Sequence, residues 1–115
     1  MPLRFPDDPL YQLLRAEKVK EFNEQKPESG VIDFHDCDFR GLDLRNLDAK
    51  RINFSGCYFR AADLRGVDFS LSNLHGASIA GAQISGCMFP VNIDATEIYL
   101  SLEKGMRMRM RKEDK

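Results

Sequence analysis

The sequence has few cysteines, no long apolar run and no excess of either charge. Its 115 residues include three cysteines, an odd number without a C-x-x-C spacing, which fits neither a secreted disulfide scaffold nor a zinc site. No apolar run approaches the ~20 residues of a membrane-spanning helix. The first residues, MPLRFPDDPLYQ, lack a basic stretch followed by an apolar one. We therefore expect one small cytoplasmic domain without membrane contact.

The charges nearly cancel, since 17 Lys and Arg face 18 Asp and Glu. This total argues against a wholly basic nucleic-acid binder and against an acidic tail. The chain also contains no Ser, His and Asp constellation and no phosphate-binding loop. We predict that it is not an enzyme and has no catalytic residue, metal site or cofactor.

Apolar residues recur every five positions between residues 32 and 91. A helix would scatter such positions around its circumference, whereas in extended chain two residues of each unit share a face and the next two turn a corner. Residues two positions earlier are also apolar or small, so each unit has two inward residues. The predicted inward core residues are Phe34, Phe39, Leu44, Phe54, Phe59, Leu64, Phe69, Leu74, Ile79, Ile84 and Phe89, with small Ala49 completing the series.

Units such as ADLRG (62–66), CDFRG (37–41), LDLRN (42–46) and SNLHG (72–76) resemble the pentapeptide-repeat family, whose pattern is roughly A-(D/N)-L-x-x. Twelve such units follow one another without a gap. The resemblance implies an all-β solenoid, a right-handed quadrilateral β-helix with four units per turn and about three coils. We assign residues 31–91 to this β-helix, 1–30 to an N-terminal capping helix and loop, and 92–115 to a C-terminal helix and basic tail.

Both flanks carry helix signals. The segment DDPLYQLLRAEKVKEFN (7–23) predicts one helix with Asp8 as N-cap and Leu10, Leu13, Leu14 and Phe22 facing inward. The segment DATEIYLSLEKG (94–105) predicts a second helix with Asp94 as N-cap, Glu97 completing a capping box and Gly105 as the stop.

With twenty residues per coil, residues twenty apart lie one above another. Acids then form columns, Asp43 with Asp63 and Asp48 with Asp68, and basic residues follow two positions later. This charge lattice is nearly neutral. Cys37 and Cys57 also stack, and we expect two reduced packing residues. His35 and His75 are separated by Ser55 and lie too far apart to share a metal.

The third coil, residues 72–91, has no Asp, Glu, Lys or Arg. Such a loss of charge is typical of the centre of a protein interface; coverage by the C-terminal segment of the same chain is the alternative, and both can hold. The candidate interface residues of this region are Leu71, Asn73, His75, Met88, Pro90, Val91, Ile98, Tyr99, Leu102, Met106, Met108 and Met110.

The tail MRMRMR (106–111) alternates apolar and basic residues and fits a two-faced strand. Such a strand can make a dimer contact, make a local contact or fray. Nucleic-acid contact through Arg107, Arg109, Arg111 and Lys112 is a weaker reading, because no aromatic stacking residue accompanies the charges.

We predict a non-enzymatic protein–protein interaction or scaffold module that forms a homodimer and binds a further protein partner. The family resemblance implies an alternative, a DNA mimic that modulates DNA gyrase or topoisomerase IV, a type II topoisomerase, through the acidic columns. Three coils span only ~14 Å at the strand spacing, compared with ~34 Å for one turn of B-DNA. A nucleic-acid contact through the tail is the second alternative.

Overall fold

In the computed structural model, which describes residues 3–112, residues twenty apart pair in parallel. Strand β1 (Ile32–Asp33) pairs with β2 (Ile52–Asn53) in the register Ile32 to Ile52. The same offset relates the isolated bridges that continue this pairing, Asp38 to Tyr58, Asp43 to Asp63, Asn53 to Asn73, Tyr58 to Ser78, Asp63 to Gln83 and Asp68 to Met88. We call residues 32–51, 52–71 and 72–91 coils one, two and three.

Regular strand is much rarer than an all-β chain suggests, because β1 and β2 have two residues each. Between corners only a few residues are extended, so backbone pairing is mostly single bridges. These bonds are nevertheless short: the N–H of Phe59 donates to Ser78 O at 2.8 Å, and the N–H of Ser78 donates to Cys57 O at 2.9 Å. Each coil is thus bonded to the next along its length.

The corners require left-handed backbone, most clearly at Gly56. Its φ is +69°, and a Cβ at this position would lie 1.9 Å from Oδ1 of Asp36. Glycine meets both constraints, since it has no Cβ and adopts positive φ without strain.

The interior is a stack of phenyl rings centred on Phe54. Its ring centroid lies 5.6 Å from that of Phe39, 5.3 Å from Phe59 and 5.9 Å from Phe69. The buried inward residues are Phe34, Phe39, Leu44, Phe54, Phe59, Leu64, Phe69, Leu74 and Ile79. Ile84 and Phe89, the last two of the predicted core, are only partly buried.

The N-terminal segment forms two helices rather than the single predicted one. Helix α1 spans Pro9–Arg15 and α2 spans Val19–Gln25. The predicted N-cap is confirmed, since the Asp8 side chain accepts a hydrogen bond from the N–H of Leu10. Between the helices Glu17 has a φ of +61°, which a continuous helix does not allow. Both helices bury an apolar face, comprising Tyr11, Leu14, Val19 and Phe22.

Polar side chains of the N-terminal segment close the free edge of coil one. The Tyr11 hydroxyl donates to Asp38 O at 2.7 Å. The Asn23 amide oxygen accepts from the N–H of Asp48, and Lys26 Nζ donates to Asp48 O. Side chains of the N-terminal segment therefore satisfy several backbone groups at the edge of the first coil.

Helix α3 (Ala95–Lys104) follows coil three and ends at Gly105, whose φ of +74° confirms the predicted stop. The predicted capping box is wrong. Asp94 makes no side-chain cap and instead accepts from Arg111, while Glu97 accepts from Arg109. Both carboxylates therefore bind arginines of the tail instead of backbone N–H groups at the start of the helix.

We expect Phe54→Ala to lower the free energy of unfolding by ~3–5 kcal/mol, because it removes a fully buried ring and leaves a cavity. Phe89→Ala is the matched control at the partly buried end, where the loss should be smaller because less apolar area is buried. Chemical denaturation of the two variants checks the ranking; equal losses would contradict this description of the core.

Candidate interaction surface

The end of coil three is covered on one half by helix α3. The N–H of Gly81 donates to Leu102 O at 3.1 Å, and the N–H of Ile79 donates to the Ser101 hydroxyl at 2.9 Å. The helix therefore leads from the corner after Val91 across the end of the coil towards the corner at Gly81.

After Gly105 the chain returns along the same half as an extended segment, residues 106–111, which we call the tail strap. The N–H of Met108 donates to Ala77 O at 2.8 Å, and Met108 O accepts from the N–H of Gly76 at 2.6 Å. Its side chain is fully buried. Met108 thus occupies the place that a residue of a further coil would take.

The tail strap makes the local contact that the sequence left open, against its own third coil. It contains no regular strand, although the predicted alternation holds in part. Met108 is buried and Met110 partly buried, whereas Met106 is about half exposed.

Each arginine of the tail strap has a partner in this chain. The Arg107 guanidinium lies 5.0 Å from the Tyr58 ring centroid, and its Nη1 donates to Gly76 O at 2.7 Å. Arg109 binds the Glu97 carboxylate through two side-chain nitrogens at 3.2 and 2.8 Å. These hydrogen bonds lower the pKa of Glu97. The three arginines therefore hold the strap against α3 and the coils.

The predicted interface residues divide by exposure. Those with the largest exposed apolar side chains are Leu71, Met88, Val91, Tyr99 and Met106. Asn73 and His75 are exposed too, and Ile98, Leu102 and Met110 are partly buried. Pro90 and Met108 are buried within this chain, which for Met108 agrees with the alternative of coverage by the C-terminal segment.

The first acidic column is neutralised by arginines. Arg45 binds Asp43 with Nη2 to Oδ2 at 2.7 Å, and Arg65 binds Asp63 at the same distance. Arg45 also lies 3.4 Å from Asp63. Hydrogen bonds from the Arg45 side chain hold the pKa of Asp43 at about 2. The acids of this column are thus ionised and paired.

The second acidic column is bound differently. Asp48 lies 3.1 Å from Nζ of the buried Lys26. Burial of Asp48 raises its pKa, but the hydrogen bond from Lys26 and others outweigh burial, and the net pKa is lowered. Asp68 accepts from the backbone N–H of Ser70 at 2.8 Å.

The cysteines are structural. Cys37 and Cys57 are free and buried, and the Cys57 thiol donates to Phe34 O at 2.9 Å. Burial raises the pKa of Cys37 to about 11 and raises that of Cys57 further still. Protonated, enclosed thiols are poor nucleophiles.

His35 and His75 serve different local contacts. His35 Nδ1 lies 2.9 Å from Asp33 Oδ1, whereas His75 Nδ1 accepts from the N–H of Met110. Within residues 3–112 no group of three or more His, Cys, Asp or Glu side chains could hold a metal ion. Over the same range, no helix has the length and apolar character needed to cross a membrane.

Ser101 makes a contact that sequence reasoning missed. Its side chain is fully buried in α3, and its hydroxyl accepts a hydrogen bond from the N–H of Ile79 in coil three. A signal was available, because a serine stands between Ile98 and Leu102 on the predicted apolar face of the helix.

Residues 52–89 match the family model described as pentapeptide repeats, in eight copies. This segment thus carries pentapeptide repeats, which imply a right-handed β-helix in general and are generally found in structural or interaction proteins. No curated protein and no solved structure matches the chain.

The family match begins at coil two. Coil one has large Leu42 and Leu47 where the family pattern has a small first inward residue. Both are nonetheless buried, and small Ala49 is buried two residues after Leu47. Coil one therefore keeps the pairing of the repeat although its residues depart from the pattern.

We expect Met108→Ala to destabilise the protein by about 2–5 kcal/mol, because it truncates a fully buried side chain. Met106→Ala, two residues earlier and exposed, should change stability by less than about 0.5 kcal/mol. Denaturant midpoints provide the comparison. Equal, small effects would show that the tail strap is not docked in solution.

The Asp43 carboxyl should stay ionised until the pH falls to about 2, below the ordinary value of about 3.9. Because the folded-state pKa is depressed, its stabilising contribution is present above the ordinary pKa and is lost as the pH falls through this window. Carboxyl carbon shifts in an NMR titration measure it. Arg45→Gln should raise the pKa of Asp43, and Arg40→Gln, which changes the Asp38 pair, should leave it unaltered.

Proposed function

We propose that this chain is a non-enzymatic protein–protein interaction module that acts through the end of coil three. In this proposal the repeat segment is a right-handed quadrilateral β-helix of about three coils, capped by α1 and α2 at one end and half covered by α3 and the tail strap at the other. The observation that carries the proposal is the contrast between the two ends. Coil one is closed by polar side chains, whereas coil three combines an uncharged sequence with exposed apolar side chains.

Self-association is proposed at the corner where Leu71 and Val91 stack. Their exposed fractions are 66% and 91%, high for two apolar side chains one coil apart in the same column. A groove beside Leu71 is also lined by Met110 and Ser72. Coil three itself contributes no charged residue to this surface; the nearby charges are Arg51, which also lines the groove, and Arg111, which donates to Val91 O.

The charge lattice favours this surface over the acidic columns as the contact for a partner. A DNA mimic must present unpaired negative charge to a protein that binds the DNA backbone. Here Asp43 and Asp63 each hold an arginine, and Asp48 holds Lys26. Binding of a type II topoisomerase through these acids would first have to break those pairs.

The arginines of the tail are also poorly available for contacts with nucleic acid. Arg107, Arg109 and Arg111 are bound to Tyr58, Glu97 and Asp94. Release of these contacts would cost part of the energy that phosphate contacts supply. We therefore propose that the C-terminal region contacts a protein rather than nucleic acid.

We expect the full chain to form a dimer that Val91→Lys converts to a monomer, because a charge would be buried at the apolar corner. Phe5→Lys is the matched control. Phe5 is also exposed, but it lies in the N-terminal segment next to Arg4, which pairs with Cys37 of coil one. Sedimentation equilibrium over a wide concentration range measures the effect.

A wild-type chain that stays monomeric throughout would overturn the proposed self-association. Loss of the dimer in both lysine variants would show that the surface is not confined to the end at coil three. Inhibition of gyrase supercoiling that disappears in Asp43→Ala and Asp63→Ala would place the function in the acidic columns instead.

A further inference from the structure

The half of coil three that α3 and the tail strap leave uncovered, residues 82–89, ends in unused backbone groups. Among residues 3–112 no hydrogen-bond partner is found for the N–H groups of Ile84, Gly86 and Phe89. The carbonyl oxygens of Ala82 and Cys87 likewise accept no hydrogen bond from that part of the chain. We call residues 82–89 the open edge.

The corresponding groups one coil below are all used. The N–H groups of Leu64, Gly66 and Phe69 donate to the carbonyl oxygens of Gln83, Ser85 and Met88 at 2.8–2.9 Å. Pairing thus continues regularly up to the open edge and stops there. Unpaired edges of this kind are where further strands add to a sheet.

The side chains at the open edge show the same incomplete coverage. Leu64, Val67 and Phe69 in coil two are buried, whereas Ile84, Cys87 and Phe89 directly above them are only partly buried. Met88 is 57% exposed. An added segment would therefore gain both backbone hydrogen bonds and apolar contact.

The tail strap shows what kind of segment fits the end of a coil. On the covered half, an extended backbone pairs through Met108 with Gly76 and Ala77 and buries the methionine side chain. The strap lies along residues 75–77 and reaches Asn92 through the N–H of Arg111. It is therefore committed to that half and leaves residues 82–89 free of it.

Charge limits the segment further. Coil three has no charged residue, and the two acids at the start of α3 that contact the tail strap, the N-cap Asp94 and Glu97, already bind arginines. A charged side chain over Ile84 or Phe89 would lose hydration without gaining an ion pair.

We propose that the open edge binds an extended, uncharged segment of a partner protein, which adds to coil three as a second strap and places an apolar side chain over Ile84 and Phe89. The inference rests on the proposed role as an interaction module, but it does not require the homodimer. The backbone groups supply orientation, and the partly buried side chains supply apolar contact.

The probe is a peptide with the sequence of residues 105–111 in which glutamine replaces each arginine, acetylated and amidated at its ends. It keeps the alternating methionines and cannot pair with Asp94 or Glu97 as a cation. It is added to the full-length, isotope-labelled Val91→Lys variant, so that self-association cannot mask the edge. Backbone amide signals and their exchange with deuterium are followed by NMR.

At a peptide concentration roughly ten times the dissociation constant, exchange at Ile84, Gly86 and Phe89 should slow about tenfold, because only the free fraction exchanges. The amide of Gly76, which the tail strap already protects, should be unchanged. A control peptide with methyl groups on alternate backbone nitrogens should fail to bind, since it lacks the required donors.

No change at these three amides up to the solubility limit of the peptide would overturn the inference. Equal binding of the methylated peptide would also overturn it, since contact would then not involve backbone pairing. A change confined to Gly76 and Ala77 would mean that the peptide displaces the tail strap, again contrary to the proposal. A wild-type dimer that does not bind the peptide leaves the interaction module standing and removes only the second strap. Peptide binding to a strictly monomeric chain removes only the proposed self-association.

Discussion

Backbone pairing between residues twenty apart is the interaction on which the rest of the structure depends. Each coil supplies only a few extended residues per side, so it gains hydrogen bonds chiefly from its neighbours. Every coil therefore needs a partner above and below, but the first and last coils have a neighbouring coil on one side only. The phenyl stack has a similar requirement, because Phe54 is enclosed by Phe59 and Phe69 of its own coil and by Phe39 of coil one, and Phe69 in turn stacks on Phe89 of coil three. Stability is thus cooperative along the stack, and the ends decide how far it extends.

The two ends meet this requirement by different chemistry. At coil one, side chains such as Tyr11, Asn23 and Lys26 bind individual backbone groups, and two short helices bury apolar residues over the rings. At coil three, the Met108 backbone imitates a further coil while Ser101 satisfies a single N–H. This second arrangement covers only one half of the end of coil three. Because one end is closed and the other is only partly closed, the two ends of the molecule differ, although the repeats between them are regular.

The regular part of this structure was predictable because its signal repeats. A spacing of five, read over residues 32–91, identified the inward phenylalanines, and the resemblance to the pentapeptide-repeat family implied the register of twenty. Local signals also worked where a single residue decides the geometry, as at Asp8 and Gly105. The capping box failed because a sequence window of four residues cannot show that Arg109 and Arg111 return to Glu97 and Asp94. The prediction of a single N-terminal helix was wrong for a related reason. Burial of Tyr11 and Phe22 against coil one favours a bend that helix propensity does not require.

The candidate surface was only half predictable, and the reason is physical. Absence of charge from residues 72–91 is visible in the sequence, and it is compatible both with burial under the chain's own tail and with exposure to a partner. The structure divides these cases within one coil. Residues 76–81 are bonded to Met108, Ser101 and Leu102, whereas residues 82–89 retain unused donors and partly exposed inward side chains. An uncharged coil is needed in both halves, because a charge would be desolvated equally by a covering segment of the same chain or of another protein. The absence of charge is therefore compatible both with the half of coil three that the chain covers and with the half that it leaves uncovered.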